Sequence, residues 1–226
     1  MNKLLKYSIV TAALMIFAGN VSAVPTYCSA GNPNGDGMNT NDVAYNGSDS
    51  DDCYGVVLAN DSETLINSLN LWDAITTPWN FLVKDDTPGG AGNGTGSFGG
   101  INFSLTTGGG TSGNWTLTGV DTNNPTILPT YLDFMVVLKG SNRFGAWFLD
   151  DVAFDGNDGG TWAINFVNNG GNNPDLSHLS LYTRAGETPP CTVNCGPNQI
   201  PEPTSLLLMG AGLIGFGFAR RCRSAA

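Results

Sequence analysis

Phe134-Met-Val-Val-Leu138, Lys139-Gly-Ser-Asn142 and Phe144-Gly-Ala-Trp-Phe-Leu149 follow one another almost without a gap. Two short, continuously apolar runs around a Gly/Ser/Asn cluster read as a β-hairpin whose strands are buried on both faces. A pair of this kind needs other layers on each side, so the rest of the chain must supply them.

The segments around this hairpin show a different pattern. Ile101-Asn-Phe-Ser-Leu-Thr106 and Asn114-Trp-Thr-Leu-Thr118 alternate apolar and polar residues, as does Thr161-Trp-Ala-Ile-Asn-Phe-Val167. Alternation with period 2 predicts strands with one buried and one solvated face. Trp79-Asn-Phe-Leu-Val-Lys84 places Trp79, Phe81 and Val83 on one face, and 54–58 and 176–183 complete eight strand candidates. Only Asp61 to Asn70 suggests a helix, with an acidic, hydroxyl-rich start and Leu65, Ile66 and Leu69 on one side. Thr87 to Gly100, with seven glycines, and Gly108 to Gly113 read as loops. The expected fold is therefore an all-β antiparallel sandwich, jelly-roll-like, with one short helix. Alternation puts Trp79, Trp115, Trp147 and Trp162 in its core and leaves Trp72 the freest tryptophan.

Composition narrows the functional classes. The 226 residues carry a formal net charge of −10, yet only 12% of them are charged, and 31 are glycine. Nothing here could neutralise a row of phosphates, so nucleic acid is excluded as a partner. The charges are also unevenly placed. Between Val24 and Gln199 lie 18 acidic and four basic residues, a net charge of −14, while the remaining basic residues sit near the two ends.

Those ends read as addresses. Lys3 and Lys6, the apolar run Ile9 to Ala18, and Val21-Ser-Ala23 form a secretory signal helix over residues 1–23. Cleavage is expected between Ala23 and Val24, by signal peptidase after Sec-dependent export. At the other end, 200–226 begins with Pro201-Glu202-Pro203. From Pro203 to Ala219 run 17 uncharged residues, about 25 Å as a helix. Arg220, Arg221 and Arg223 follow. Such a segment just spans a bilayer, with its arginines on the cytoplasmic side. A permanent single-span anchor is the simplest use for it.

A Pro-Glu-Pro tripeptide, a short span and a terminal Arg cluster, in that order, resemble the PEP-CTERM sorting signal of bacterial surface proteins. The resemblance implies recognition of the tail by exosortase, a membrane-embedded transpeptidase-like enzyme. It also implies a transient membrane anchor and delivery to the cell surface or extracellular matrix. The exported part, 24–199, more loosely resembles a recurring type among PEP-CTERM proteins. The carriers are Asn60-Asp-Ser62, Trp79 to Asp85, Val137 to Ser141, Gly160-Thr-Trp162 and Leu176 to Tyr182. It brings no enzymatic role with it.

Chemistry in the exported part is sparse. Cys28, Cys53, Cys191 and Cys195 allow three disulfide connectivities, of which nearest-neighbour pairing is the simplest in an oxidising compartment. Asn32, Asn34, Asp36 and Asp42 place oxygen ligands at spacings resembling a dockerin-type calcium loop, with Gly37 at its turn. The loop departs from that pattern in its first ligand and in its early closing Asp42. Asp49, Asp51 and Asp52 form a second acidic cluster; Asp150, Asp151, Asp155 and Asp158 form a third. These read either as calcium ligands or as a solvating surface; calcium is the only cofactor suggested. A hydrolytic triad would have to use the only histidine, His178. Three roles follow: a non-catalytic structural or interaction component linked to exopolysaccharide or biofilm, a calcium-dependent lectin-like module, and, with least support, a secreted glycan hydrolase.

Overall fold

A computed structural model describes residues 26–28, 36–90, 93–168 and 170–188. The signal segment, Asn32, Asn34, the cysteines at 191 and 195 and the whole tail lie outside the described residues. Among the described residues, no helix is long and apolar enough to cross a membrane.

In chain order the strands are β1 (Thr26–Tyr27), β2 (Ala44–Tyr45), β3 (Ser48–Asp49), β4 (Asp52–Val57), β5 (Asn80–Asp85), β6 (Gly94–Phe98), β7 (Ile101–Thr107), β8 (Ser112–Asp121), β9 (Thr130–Gly140), β10 (Arg143–Phe154), β11 (Asn157–Ala163) and β12 (Leu176–Ala185). One α-helix, α1 (Glu63–Ser68), lies between β4 and β5. The strands form a six-stranded sheet in the order β1-β4-β10-β9-β12-β5, a four-stranded sheet β11-β8-β7-β6, and the ribbon β2-β3. All pairings are antiparallel.

The two large sheets pack face to face. Phe134, Val136, Leu138, Trp147 and Leu181 of the larger meet Phe103, Leu105, Trp115, Leu117 and Trp162 of the smaller in one core. The antiparallel sandwich is as expected, but its connections are not those of a jelly roll. The smaller sheet contains the meander β6-β7-β8 and the larger the hairpin β9-β10, each within one sheet, while the chain crosses between the sheets at β5–β6, β8–β9, β10–β11 and β11–β12, so it does not trace two Greek keys.

A second apolar cluster covers the outer face of the larger sheet. Ile66 of α1, with Leu71, Ala74 and Trp79, packs on Met135, Val137, Phe144, Ala146 and Tyr182. The hairpin is thus buried on both sides, which is why its runs carry no polar alternation. The Ser141-Asn142 turn joins it, with Ser141 in the left-handed region at φ +57°. The helix is shorter than the 61–70 pattern: Ser62 is its N-cap, its hydroxyl accepting from the Leu65 N–H at 3.3 Å.

Three further expectations are corrected. The Gly-rich stretch 87–100 contains β6, an edge strand of the smaller sheet. A Cβ on Gly96 would lie 1.7 Å from the Leu82 carbonyl oxygen of β5, so the close approach of the two sheet edges demands glycine there. Asp85 reinforces this seam by accepting from the Thr107 N–H at 2.8 Å. Trp79, Phe81 and Val83 do not share a face, because a register shift beside Leu181 buries Leu82 and Val83 together in the sandwich and exposes Phe81. The 161–167 strand ends at Ala163; Ile164 and Phe166 reach the core from the loop beyond it.

Candidate binding surfaces around strand β4

Trp79, Trp115, Trp147 and Trp162 are all buried, and Trp72 is half-buried. Trp72 sits where the chain between α1 and β5 turns over the sheet. Leu71 and Ala74 point inward and are buried, and Trp72 and Asp73 are raised between them. Asn70, Trp72 and Asp73 take left-handed φ values of +50°, +51° and +61°. Three non-glycine residues in this region within four positions are costly, and identifiable contacts hold them. The Trp72 indole stacks on Phe148 of β10, centroids 5.1 Å apart at 17°, and donates through Nε1 to Asp52 Oδ2 at 2.9 Å. Arg184 Nη1 donates to the Trp72 carbonyl at 2.6 Å and to the Thr77 carbonyl at 3.2 Å. The guanidinium lies over the Trp79 ring, 4.3 Å from its centroid.

Tyr27 completes this surface. It lies on β1, only two residues long and paired with the outer edge of β4. The Cys28–Cys53 disulfide, with Cα atoms 5.1 Å apart, ties that strand down; it is one of the pairings expected from the sequence. Tyr27 is 47% exposed and packs against Tyr54 and, in a T-shaped contact, against Trp72. Partial burial, and after it the Asp52 charge, raises its phenol pKa. Tyr27, Trp72, Asp52, Asn70 and Asp73 line an open cleft of about 350 Å³.

The other surface is acidic. Opposite Asp133 of β9, the register of β10 slips between Leu149 and Val152, and Asp150 and Asp151 occupy the bulge. One carboxylate oxygen from each of Asp133, Asp150 and Asp151 can be found within 4.8 Å of the others. Asp51 joins them, accepting from the Asp150 N–H at 2.8 Å. Partial burial raises the Asp150 pKa, and the charges of Asp133, Asp151 and Asp51 raise it further. Asp133 itself is paired, accepting from Arg184 Nε at 2.7 Å. The cleft beside the bulge, about 360 Å³, is also lined by Tyr45, Asn46 and Asp49. The structure therefore joins parts of the second and third acidic clusters of the sequence, and adds Asp133, which an apolar run conceals. Asp155 and Asp158 lie apart: the Asp155 N–H donates to Asp158 Oδ2 at 3.2 Å, and Asp158 Oδ1 accepts from Asn46 at 2.6 Å.

Of the dockerin-like loop, Asp36 and Asp42 lie among the described residues. Asp36 accepts from the Val56 N–H at 3.3 Å. Asp42 is buried; its oxygens accept from the Asn39 N–H at 2.7 Å and from the Asn165 amide at 2.6 Å. Burial raises its pKa above the ordinary carboxyl value, against the pull of those two donors.

His178 has a partner that the sequence did not indicate. Asp61, nominally the helix start, is turned inward against β12. Its Oδ1 lies 2.6 Å from His178 Nε2, and its Oδ2 accepts from Ser180 Oγ at 2.6 Å. Burial alone would raise the Asp61 pKa, but the hydrogen bonds from His178 and Ser180 outweigh it and hold the carboxyl below 3.8. The carboxylate stands between histidine and serine, an order opposite to that in a Ser-His-Asp triad, where histidine takes the serine proton.

The family comparison matches residues 199–222 to the PEP-CTERM protein-sorting motif. That match contains Pro201, Glu202, Pro203, Arg220 and Arg221, and stops one residue before Arg223. Comparison with curated proteins and comparison with solved structures both give no match. The chain therefore carries a C-terminal PEP-CTERM motif, which implies an exported, surface-associated protein processed by exosortase.

Proposed function

From the premise of that motif, we propose that the protein is a non-catalytic structural or interaction component of the cell surface or extracellular matrix, linked to exopolysaccharide. The motif is the observation that carries the proposal. In this reading the tail anchors the exported chain in the inner membrane until exosortase removes it. Proline on each side of Glu202 removes two N–H donors and disfavours helix, a sequence suited to a processing enzyme that grips an extended chain. The sandwich then works outside the cell, where an excess of acid groups favours solubility. Supporting a binding role over a catalytic one, His178 and Ser180 are both held by Asp61 on a packed sheet face, away from the two clefts described above. Replacing Pro201-Glu202-Pro203 by three alanines in an exosortase-bearing cell is expected to leave a longer, membrane-retained product by intact mass. Unchanged processing overturns the proposal.

The approach of Asp133, Asp150 and Asp151 favours a second reading, a calcium-dependent module. It predicts that calcium raises the thermal midpoint of the protein and that D150N removes the effect. An unchanged midpoint in calcium overturns this second reading.

A further inference from the structure

We propose that the cleft between Tyr27 and Trp72 is a saccharide-binding site, specific for an uncharged pyranose and independent of calcium. The proposal deepens the matrix reading above by assigning it a ligand class and a location.

The lining chemistry selects the ligand. Two aromatic side chains stand at the cleft, one half-buried and one 47% exposed. Aromatic faces attract the C–H face of a sugar ring, and partly wetted Trp and Tyr suit a ligand that is apolar on one side and polar on the other. Around them stand the Asp73 carboxylate, the Asn70 amide and the Asp52 carboxylate, side chains that can satisfy adjacent hydroxyls. Asp73 and Asn70 are exposed. The Asn70 Oδ1 accepts from the Ile75 N–H at 2.9 Å, which fixes the amide and directs its NH2 group away from that bond. Among the described residues, no lysine or arginine lines the cleft. Two carboxylates without a cation repel a uronate, sulfate or phosphate, so the ligand is neutral.

The cleft is also preorganised. Left-handed backbone at Asn70, Trp72 and Asp73 is a cost that a plain connection would avoid with glycine. Here it raises Trp72 beside Asp52, while Phe148, Asp52 and Arg184 hold the ring and its backbone. A site held in this way loses little freedom when a ligand binds. Tyr27 depends on a separate device. A two-residue edge strand has little hold of its own, and the Cys28–Cys53 bond fixes it beside Trp72. The disulfide is thus part of the site as well as of the fold. The acidic bulge at Asp150 contributes no lining residue, so calcium has no part in binding here.

The test is calorimetric titration of the full chain in detergent with gluco-oligosaccharides, N-acetylglucosamine oligomers, oligogalacturonate and oligolysine. At least one neutral oligomer is expected to bind, equally in calcium and in chelator, and oligogalacturonate is not. Y27A, D73G and the double variant C28S/C53S are each expected to weaken binding about tenfold, the scale of one aromatic or hydrogen-bonding contact. F81A alters an exposed aromatic outside the cleft and is expected to leave binding unchanged. Circular dichroism identifies any variant that fails to fold, and D73G, which removes the exposed side chain while suiting the left-handed φ of +61°, keeps the test decisive. No binding by any neutral oligomer overturns the proposal, as does binding indifferent to D73G and Y27A. Preference for oligolysine overturns it in favour of a cationic peptide. The triple-alanine tail variant is expected to bind as well as the parent, so failed processing and failed binding are separate results.

Discussion

The two large sheets treat their outer faces in opposite ways. Outside the larger sheet lies a cover, the segment from Asp61 to Trp79, with its own apolar cluster against β9, β10 and β12. Outside the smaller sheet, Asn102, Thr106, Asn114, Thr116 and Thr118 face solvent. The cover adds a second buried face, and it also creates the places where polar groups must be pinned. Asp61 pins its beginning to His178 and Ser180. Asn67 holds its middle, accepting from the Trp79 N–H at 2.8 Å and donating to the Trp79 carbonyl at 2.9 Å. Arg184 pins its end through the carbonyls of Trp72 and Thr77. The bare face has hydroxyls and amides and needs no pins. The difference teaches that the two clefts around β4 arise where the covered sheet meets loops, whereas the bare sheet's outer surface is mostly small polar groups, with a shallow hollow of about 480 Å³ beside Asn102, Thr118 and the exposed Val120.

If the cover contributes as much as its packing implies, W79A gives the largest effect. It removes a fully buried indole, the Nε1–H donated to the Leu71 carbonyl at 3.1 Å, and the cation–π partner of Arg184. A loss of about 4 kcal/mol is expected in chemical denaturation, within the range for large aromatic truncations. A loss near 1 kcal/mol would mean that the cover is only loosely attached. R184M is expected to cost about 3 kcal/mol, because it strands the buried Asp133 carboxylate while keeping much of the arginine's apolar bulk. The same variant leaves Asp133 beside Asp150 and Asp151 without a counter-charge. Part of the loss should therefore be recovered in mild acid, which would not happen if Arg184 contributed only packing.

Acid separates the pins further. The Asp61 pKa is lowered in the fold, so its contribution is fully present above its unfolded value of about 3.9 and is lost as pH falls through the lower folded value. Asp42 and Asp150 shift the other way, both raised by burial. They hold protons more tightly folded than unfolded, so they add stability as pH falls from neutrality toward about 4. Stability measured across pH is thus expected to rise modestly on mild acidification and to collapse below about pH 4. D61N should cost about 2 kcal/mol at neutral pH, the scale of hydrogen bonds to a charged group. It should also flatten the acid limb of the profile. An unchanged acid limb in D61N would show that the cover is released by other carboxyls.

Much of this contrast is written in the chain. Nine consecutive buried residues from Leu132 to Gly140 appear as an unbroken apolar run except for Asp133 and Lys139, while Ile101 to Thr107 alternates strictly. The two patterns distinguish a sheet covered on both sides from one covered on one side. Trp72 was legible as the free tryptophan because it lies outside any alternating segment. Strand β6 was not, since Gly94 and Gly96 mimic a loop and are there because the β5 backbone passes so near. The acidic bulge was half legible: Asp150 and Asp151 stand out, but Asp133 becomes their neighbour only through the hairpin register. Tyr27 beside Trp72, and Asp61 beside His178, join residues 45 and 117 positions apart in the sequence. No local pattern encodes such pairings.

The smallest expected effect tests the bare face itself. Thr116 of β8 is exposed and stands opposite Thr106 of β7. Cross-strand threonine pairs contribute a few tenths of a kcal/mol, and exposed substitutions usually fall within about 0.5 kcal/mol. T116A is therefore expected to change stability by less than about 0.5 kcal/mol at any protein concentration. A larger loss that grows with concentration would mean that a second copy covers this face in solution, since association adds stability by mass action. The smaller sheet would then be covered like its partner, by another molecule in place of a segment of its own chain, and the contrast between the two sheets would disappear.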